Sequence, residues 1–157
     1  ALMQNIGGGN TMVLNKSARR LLQIAGDQIS VVTHDWWVYI VVTGCGGQVF
    51  YDPAPTLRYR QHAGNLVGMN SSALARLNRF RMLLAGQLRD WNDMHLFALT
   101  NLERYLTPDS KVTLERFSRA RSRSLIPRLW GFAHSGVYRQ TTMGNLGLVI
   151  ASIFNKV

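Results

Sequence analysis

The run His34-Asp35-Trp36-Trp37 holds the residues of this chain best suited to chemistry. A carboxylate beside an aromatic wall can serve as a general base for a hydroxyl. Two adjacent indoles can stack on the C–H face of a sugar ring. The same residues also have a structural reading, with Asp35 as an acid favoured at a helix start and Trp36 and Trp37 as core. A second group is Tyr59-Arg60-Gln61-His62, followed by Asn65. In an extended segment Arg60 and His62 alternate onto one face. An Arg fork with an imidazole suits a diphosphate, and a histidine can ligate a metal; a lone surface histidine can equally be inert. The third group, Gly7-Gly8-Gly9-Asn10-Thr11, either lets the backbone approach a ligand closely or makes a simple tight turn. It lacks the Gly-Lys-Ser/Thr ending of a phosphate loop.

Other chemistries are excluded by the residue inventory. The four histidines, at 34, 62, 95 and 134, form no His-x-x-x-His pair. There is no Gly-x-Ser-x-Gly nucleophile elbow. Cys45 is the only cysteine, which removes an internal disulfide and a Cys-based zinc site and fits a reducing compartment. His95 falls on an apolar stripe and reads as a satisfied core residue.

The elements that must position these groups divide into two halves. In the first, Ile6–Asn15 reads as a glycine loop running into a short strand. Asn15 can cap a helix over 16–25 that Gly26 ends. Thr33 or His34 opens a second helix carrying Trp36, Trp37, Ile40, Val41 and Cys45 on a 3.6-residue period, stopped by Gly44, Gly46 and Gly47. Gln48–Tyr51 reads as a strand, Asp52–Pro55 as a turn, and Thr56–Arg60 as a second extended piece. In the second half, Leu74, Leu77, Arg81, Leu84 and Leu88 share one helical stripe, and Trp91, Met94, His95, Ala98, Leu102 and Tyr105 another. Pro108 is expected to end that helix, with Asp109 or Ser110 capping the next. Pro127 fits the first turn of a further helix, and residues 142–154 form a last apolar one weakened by Gly144 and Gly147.

Length and charge bound the whole. The chain has 157 residues, 46% of them hydrophobic, which is enough for a core and too much for disorder. Its net charge is +10, and fifteen of its eighteen basic residues are arginines, so a polyanionic partner fits. Residues 1–70 carry a net of +2 and residues 71–157 a net of +8. The longest uncharged stretches, 36–51 and 140–155, are 16 residues each and interrupted, short of the roughly 20 needed for a span. A soluble or surface-associated protein is expected. The start, Ala-Leu-Met-Gln-Asn, has neither an initiator Met nor a signal pattern, and suggests a piece of a longer chain.

Taken in order, these motifs resemble the family-2 glycosyltransferases, especially rhamnosyltransferase-like members acting on bacterial surface polysaccharide in the cell envelope. The pieces that carry the resemblance are Gly-Gly-Asn-Thr-Met-Val-Leu-Asn at 8–15, His-Asp-Trp-Trp at 34–37, Tyr-Asp-Pro-Ala-Pro at 51–55 and Tyr-Arg-Gln-His-Ala-Gly-Asn at 59–65, with Arg-Gln-Thr at 139–141 in the tail. The family's acidic pair is Glu-Asp; here His34 stands first, and Asp35 keeps the place of the base.

The resemblance implies an α+β, helix-rich fold: the C-terminal half of a GT-A α/β glycosyltransferase, with a short β segment followed by several α-helices. Residues 1–70 would be the acceptor-side catalytic part and 71–157 a basic helical extension. The N-terminal nucleotide-binding half, with its Asp-x-Asp motif, would be absent. The implied reaction is an inverting displacement in which Asp35 is the base. His34, Trp36, Trp37, Asn10 and Thr11 would meet the acceptor. Arg60 and His62 would face the donor diphosphate, with His62 on a divalent metal, Mg or Mn, held mostly by the missing half. The implied partners are a nucleotide-sugar donor and a saccharide or lipid-linked acceptor. The Arg-rich helices would meet the inner face of the membrane from the cytoplasm, self-association is expected, and no specific nucleic acid is. A membrane-surface or nucleic-acid-binding module without catalysis is the alternative.

Overall fold

The computed structural model describes residues 1–54, 81–82 and 85–157. Six α-helices and one 3-10 helix have their bounds within those residues. Helix α1 spans Lys16–Ala25. The Asn15 side chain accepts the Ala18 N–H at 2.9 Å, and Gly26 ends the helix at φ 86°, a conformation costly for any other residue. Helix α2 spans His34–Gly44 after an extended Thr33. Its stop is steric as well as conformational. Gly46 sits at φ 81°, and a Cβ on Gly47 would lie 2.8 Å from the Val42 carbonyl oxygen.

Helix α3 (Gln87–Leu99) begins after Gly86 at φ 95° and tightens into a 3-10 helix over Thr100–Tyr105. Helix α4 spans Pro108–Arg121. Its cap is Thr107, whose hydroxyl accepts the Ser110 N–H at 3.2 Å, and not Asp109 or Ser110 as the sequence suggested. Pro108 therefore opens α4. At the first helical position its missing N–H has no partner to lose. Helix α5 (Leu125–Ala133) has Pro127 in its first turn, and α6 (Thr142–Ile153) is capped by Thr141 on the Gly144 N–H at 3.0 Å.

No β-strand occurs among the described residues, which overturns the expected α+β GT-A fragment with its short β segment. Gln48–Tyr51 is irregular and exposed, with Phe50 91% accessible. Residues 12–15 are likewise irregular up to the α1 cap, with Val13 95% accessible. β-Branched and aromatic composition raises strand propensity, but an extended segment becomes a strand only when a neighbour takes its backbone groups. Thr56–Arg60 and most of the Leu74–Leu88 stripe lie outside the described residues.

Among the described residues two apolar cores hold the helices. One joins Ala25 of α1, Trp36, Trp37, Ile40 and Val41 of α2, Ala98 and Leu99 of α3, then Leu102 and Leu106. This core draws on both sides of residue 70. The other joins Met3, Leu88, Phe117, Ala120, Phe132, Leu148, Ala151 and Val157. Leu2 and Trp91 border both. The segment before the glycine loop is part of the packing: Met3 is buried, and the Gln4 side chain accepts the Gln140 N–H at 2.6 Å.

Two arginines of the basic half lie inside this framework. Arg128 donates from Nε and Nη2 to the Arg123 carbonyl at 3.0 and 2.7 Å, and from Nη1 to the Ser152 carbonyl at 2.9 Å. Arg121 donates to the Val157 carbonyl at 2.7 Å and the Arg89 carbonyl at 3.1 Å, and pairs with Asp93 at 2.7 Å. Ser152 lies in the last turn of α6, where carbonyls lack intrahelical partners and the helix dipole is negative, and Arg123 lies in the bend between α4 and α5.

Candidate functional site

Asp35 lies in the first turn of α2, where free N–H groups and the positive dipole end favour an anion. Its Oδ1 accepts the Trp36 N–H at 2.8 Å. Partial burial pushes the carboxyl up. The Thr33 hydroxyl, the Trp36 N–H and the His34 charge together outweigh that and hold it below the ordinary carboxylate value. Asp35 is thus an ionised, half-buried carboxylate at neutral pH, able to accept a proton or a hydroxyl hydrogen bond.

The glycine loop comes to the same helix end. The Thr11 N–H and hydroxyl both donate to the Gly8 carbonyl at 2.9 Å, closing a turn with Asn10 and Thr11 exposed on it. The Asn5 side chain brackets Gly7 from below, donating to its carbonyl at 2.7 Å. Gly9 rests on the exposed His34: a Cβ there would lie 1.9 Å from His34 Nε2. The glycine run is therefore a turn seated on the imidazole, and it brings the loop of Asn10 and Thr11 to the end of α2 that carries His34 and Asp35.

Trp36 and Trp37 face the other way. They are 8% and 5% accessible, and no ring face is left open for a sugar. Trp36 stands edge-on to His95, with ring centroids 4.7 Å apart, and to Trp91 at 6.1 Å; Trp37 lies near-parallel to His95 at 6.3 Å. His95 is buried, and desolvation lowers its pKa to about 4, so it is neutral at pH 7. Its Nε2 accepts the Val32 N–H at a long 3.5 Å, while Nδ1 has no partner among the described residues, nor does Nδ2 of Asn92 one turn earlier. The satisfied core histidine expected from sequence is only half satisfied. Its place among the tryptophans that hold α2 could have been suspected only from the shared stripe of Trp91 and His95.

Arg60 and His62 lie outside the described residues, as does Pro55. Asp52 accepts the Ala54 N–H at 2.9 Å in an exposed turn. Arg139-Gln140-Thr141 is a tie between segments. The Arg139 backbone is bracketed by the Asn145 side chain, at 2.7 and 2.8 Å, the Gln140 N–H reaches Gln4, and Thr141 caps α6. Among the described residues no three His, Cys, Asp or Glu side chains converge as a metal shell, so these residues do not by themselves fit a bound divalent ion.

A cavity of about 250 Å³ lies at the other end of α2, lined by Ile40, Thr43, Gly44, Leu106 and Leu114 among others. Nine residues of helix, about 14 Å, separate Gly44 from Asp35, so the cavity and the carboxylate are different places. No family model, curated protein or solved structure matches this chain.

Proposed function

We propose that this chain is the acceptor-side part of an inverting glycosyltransferase that moves a sugar from a nucleotide sugar to a saccharide or lipid-linked acceptor. The order of four motifs in the sequence suggests the class. The observation that carries the reading is Asp35: an ionised carboxylate at a helix N-terminus, beside a polar loop seated on its neighbour His34.

In this reading the acceptor hydroxyl bonds to the Asp35 carboxylate. Its oxygen attacks the anomeric carbon as the bond to the diphosphate breaks, and the proton passes to Asp35. A carboxylate held below its ordinary pKa is a weak base toward a resting alcohol. It becomes effective as the hydroxyl acidifies in the transition state. Asn10, Thr11 and His34 supply polar contacts to the acceptor, while Trp36 and Trp37 shape that side from behind by fixing α2 in the core. Arg60 and His62 remain proposed for the donor diphosphate, and His62 would be this chain's contribution to holding a divalent metal that would help to neutralise diphosphate charge. The reaction would take place in the reducing cytoplasm at the inner face of the membrane.

The test is Asp35→Asn in the intact enzyme. Asparagine keeps the size and the acceptor for the Trp36 N–H and removes the base. Transfer is expected to fall by about 10²–10⁴-fold, with the far-ultraviolet spectrum unchanged. Turnover within a few-fold of the native enzyme refutes the assignment.

A further inference from the structure

We infer that the face presented by α5 and α6 docks on an anionic lipid surface. The inference extends the membrane-side placement proposed above and rests on three observations that do not involve Asp35. The first is α6 itself, which is apolar on two opposite sides. Leu148 and Ala151 are buried in the second core. Met143 (75% accessible), Leu146, Val149 and Ile153 face solvent, and Phe154 follows them. At 100° per residue these four exposed positions fall within about a third of the helix circumference. They form a stripe, where single scattered apolar residues would need no explanation.

The second observation is the neighbouring helix. Ile126 and Trp130 of α5, one turn apart, are 79% and 69% accessible. Helix α5 is fixed to α6 through the Arg128–Ser152 bond and the shared core of Phe132, Leu148 and Ala151. Two joined helices thus each turn an apolar stripe outward. A tryptophan on such a face suits the boundary between headgroups and acyl chains.

The third observation is charge. No Asp or Glu occurs after Glu115, while seven Arg and Lys residues do. Of these, Arg116, Arg119 and Arg123 are exposed, with Arg119 paired to Glu115, and Arg139 and Lys156 bracket α6 in sequence. Apolar stripes in an acid-free, basic region complement an anionic bilayer. They oppose a second copy of the chain, which would bring like charges together.

The experiment is co-sedimentation of the purified chain with phosphatidylglycerol-containing vesicles and with pure phosphatidylcholine vesicles. It is read together with tryptophan emission, because Trp36, Trp37 and Trp91 are at least partly buried and Trp130 is the exposed one. Binding is expected on the anionic vesicles, with a blue shift and quenching by lipids brominated in the acyl chain; Trp130→Phe should bind and lose most of the shift. Leu146→Asp with Val149→Asp should weaken binding by about tenfold or more while the spectrum of the folded chain is kept. Failure to sediment with anionic vesicles overturns the inference. So does binding without acyl-chain quenching in the unmodified chain, which needs no variant, or a concentration-dependent dimer that shields Trp130 and excludes vesicles.

Discussion

Replacing His95 by Phe should remove a large part of the acid sensitivity of this fold. Burial holds the His95 pKa at about 4 against an ordinary value of 6.5. Between those values the unfolded chain binds a proton that the folded chain refuses. The stability due to neutral His95 is therefore complete above about pH 6.5 and declines as pH falls toward 4. At pH 4 the loss amounts to about 3 kcal/mol by proton linkage. Asp35, held below its ordinary carboxylate value, acts in a lower window: its contribution is present above the ordinary value of 3.8 and is lost only as pH falls through its depressed one. The two effects are thus separable. Phe keeps the edge-on contact with Trp36 and the near-parallel one with Trp37 and removes the Nδ1 donor that has no partner among the described residues, at the cost of the long bond from Val32. At pH 7 the variant should be at least as stable as the native chain, since an orphaned buried donor costs about 1–3 kcal/mol. Urea unfolding followed by tryptophan emission, repeated from pH 7 to pH 4, measures both curves. Parallel pH dependence in native and variant chains would refute the argument.

Three further outcomes follow from the same structure. Gly9→Ala should disturb the loop carrying Asn10 and Thr11, because its Cβ meets His34 Nε2; a stability loss of about 1 kcal/mol or more is expected in urea unfolding, and His34→Ala in the same chain should remove most of it, read as non-additivity in a double-mutant cycle. Arg128→Met removes three hydrogen bonds that tie α5 to the Arg123 and Ser152 carbonyls; a destabilisation of about 3 kcal/mol is expected in chemical denaturation. On the proposed function, the 157-residue chain by itself transfers no sugar, because positioning the donor supplies about 7–11 kcal/mol of the barrier; transfer by the purified chain with a nucleotide sugar would show that reading to be wrong.

The features legible in the sequence are the local ones. Asn15, Gly26 and the Gly44–Gly47 stop mark α1 and α2 because capping and chain reversal act over three or four residues. The apolar period in Trp36, Trp37, Ile40 and Val41 identifies the buried side of α2, and Asp35 is placed at its start by the same period. The strand expected at Gln48–Tyr51 fails for the converse reason. Pairing depends on a distant neighbour that a tetrapeptide does not encode. The partners of Arg121 and Arg128 are equally invisible, since they are backbone carbonyls brought from as far as 36 residues away. The Trp pair shows the limit for the site: adjacent indoles suit a sugar platform or a core, and only the position of His95 and Trp91 across the helix interface decides which side they face.

The two interior arginines also change what the net charge of this chain means in solution. A guanidinium already bonded to backbone carbonyls offers no free fork to a phosphate and displaces no counterion from a polyanion. Of the seven basic residues after Glu115, Arg121 and Arg128 are 6% and 8% accessible, leaving at most five to act at the surface. The salt dependence of binding by this region to any polyanionic surface should therefore be shallower than its formal charge implies, by about two released ions.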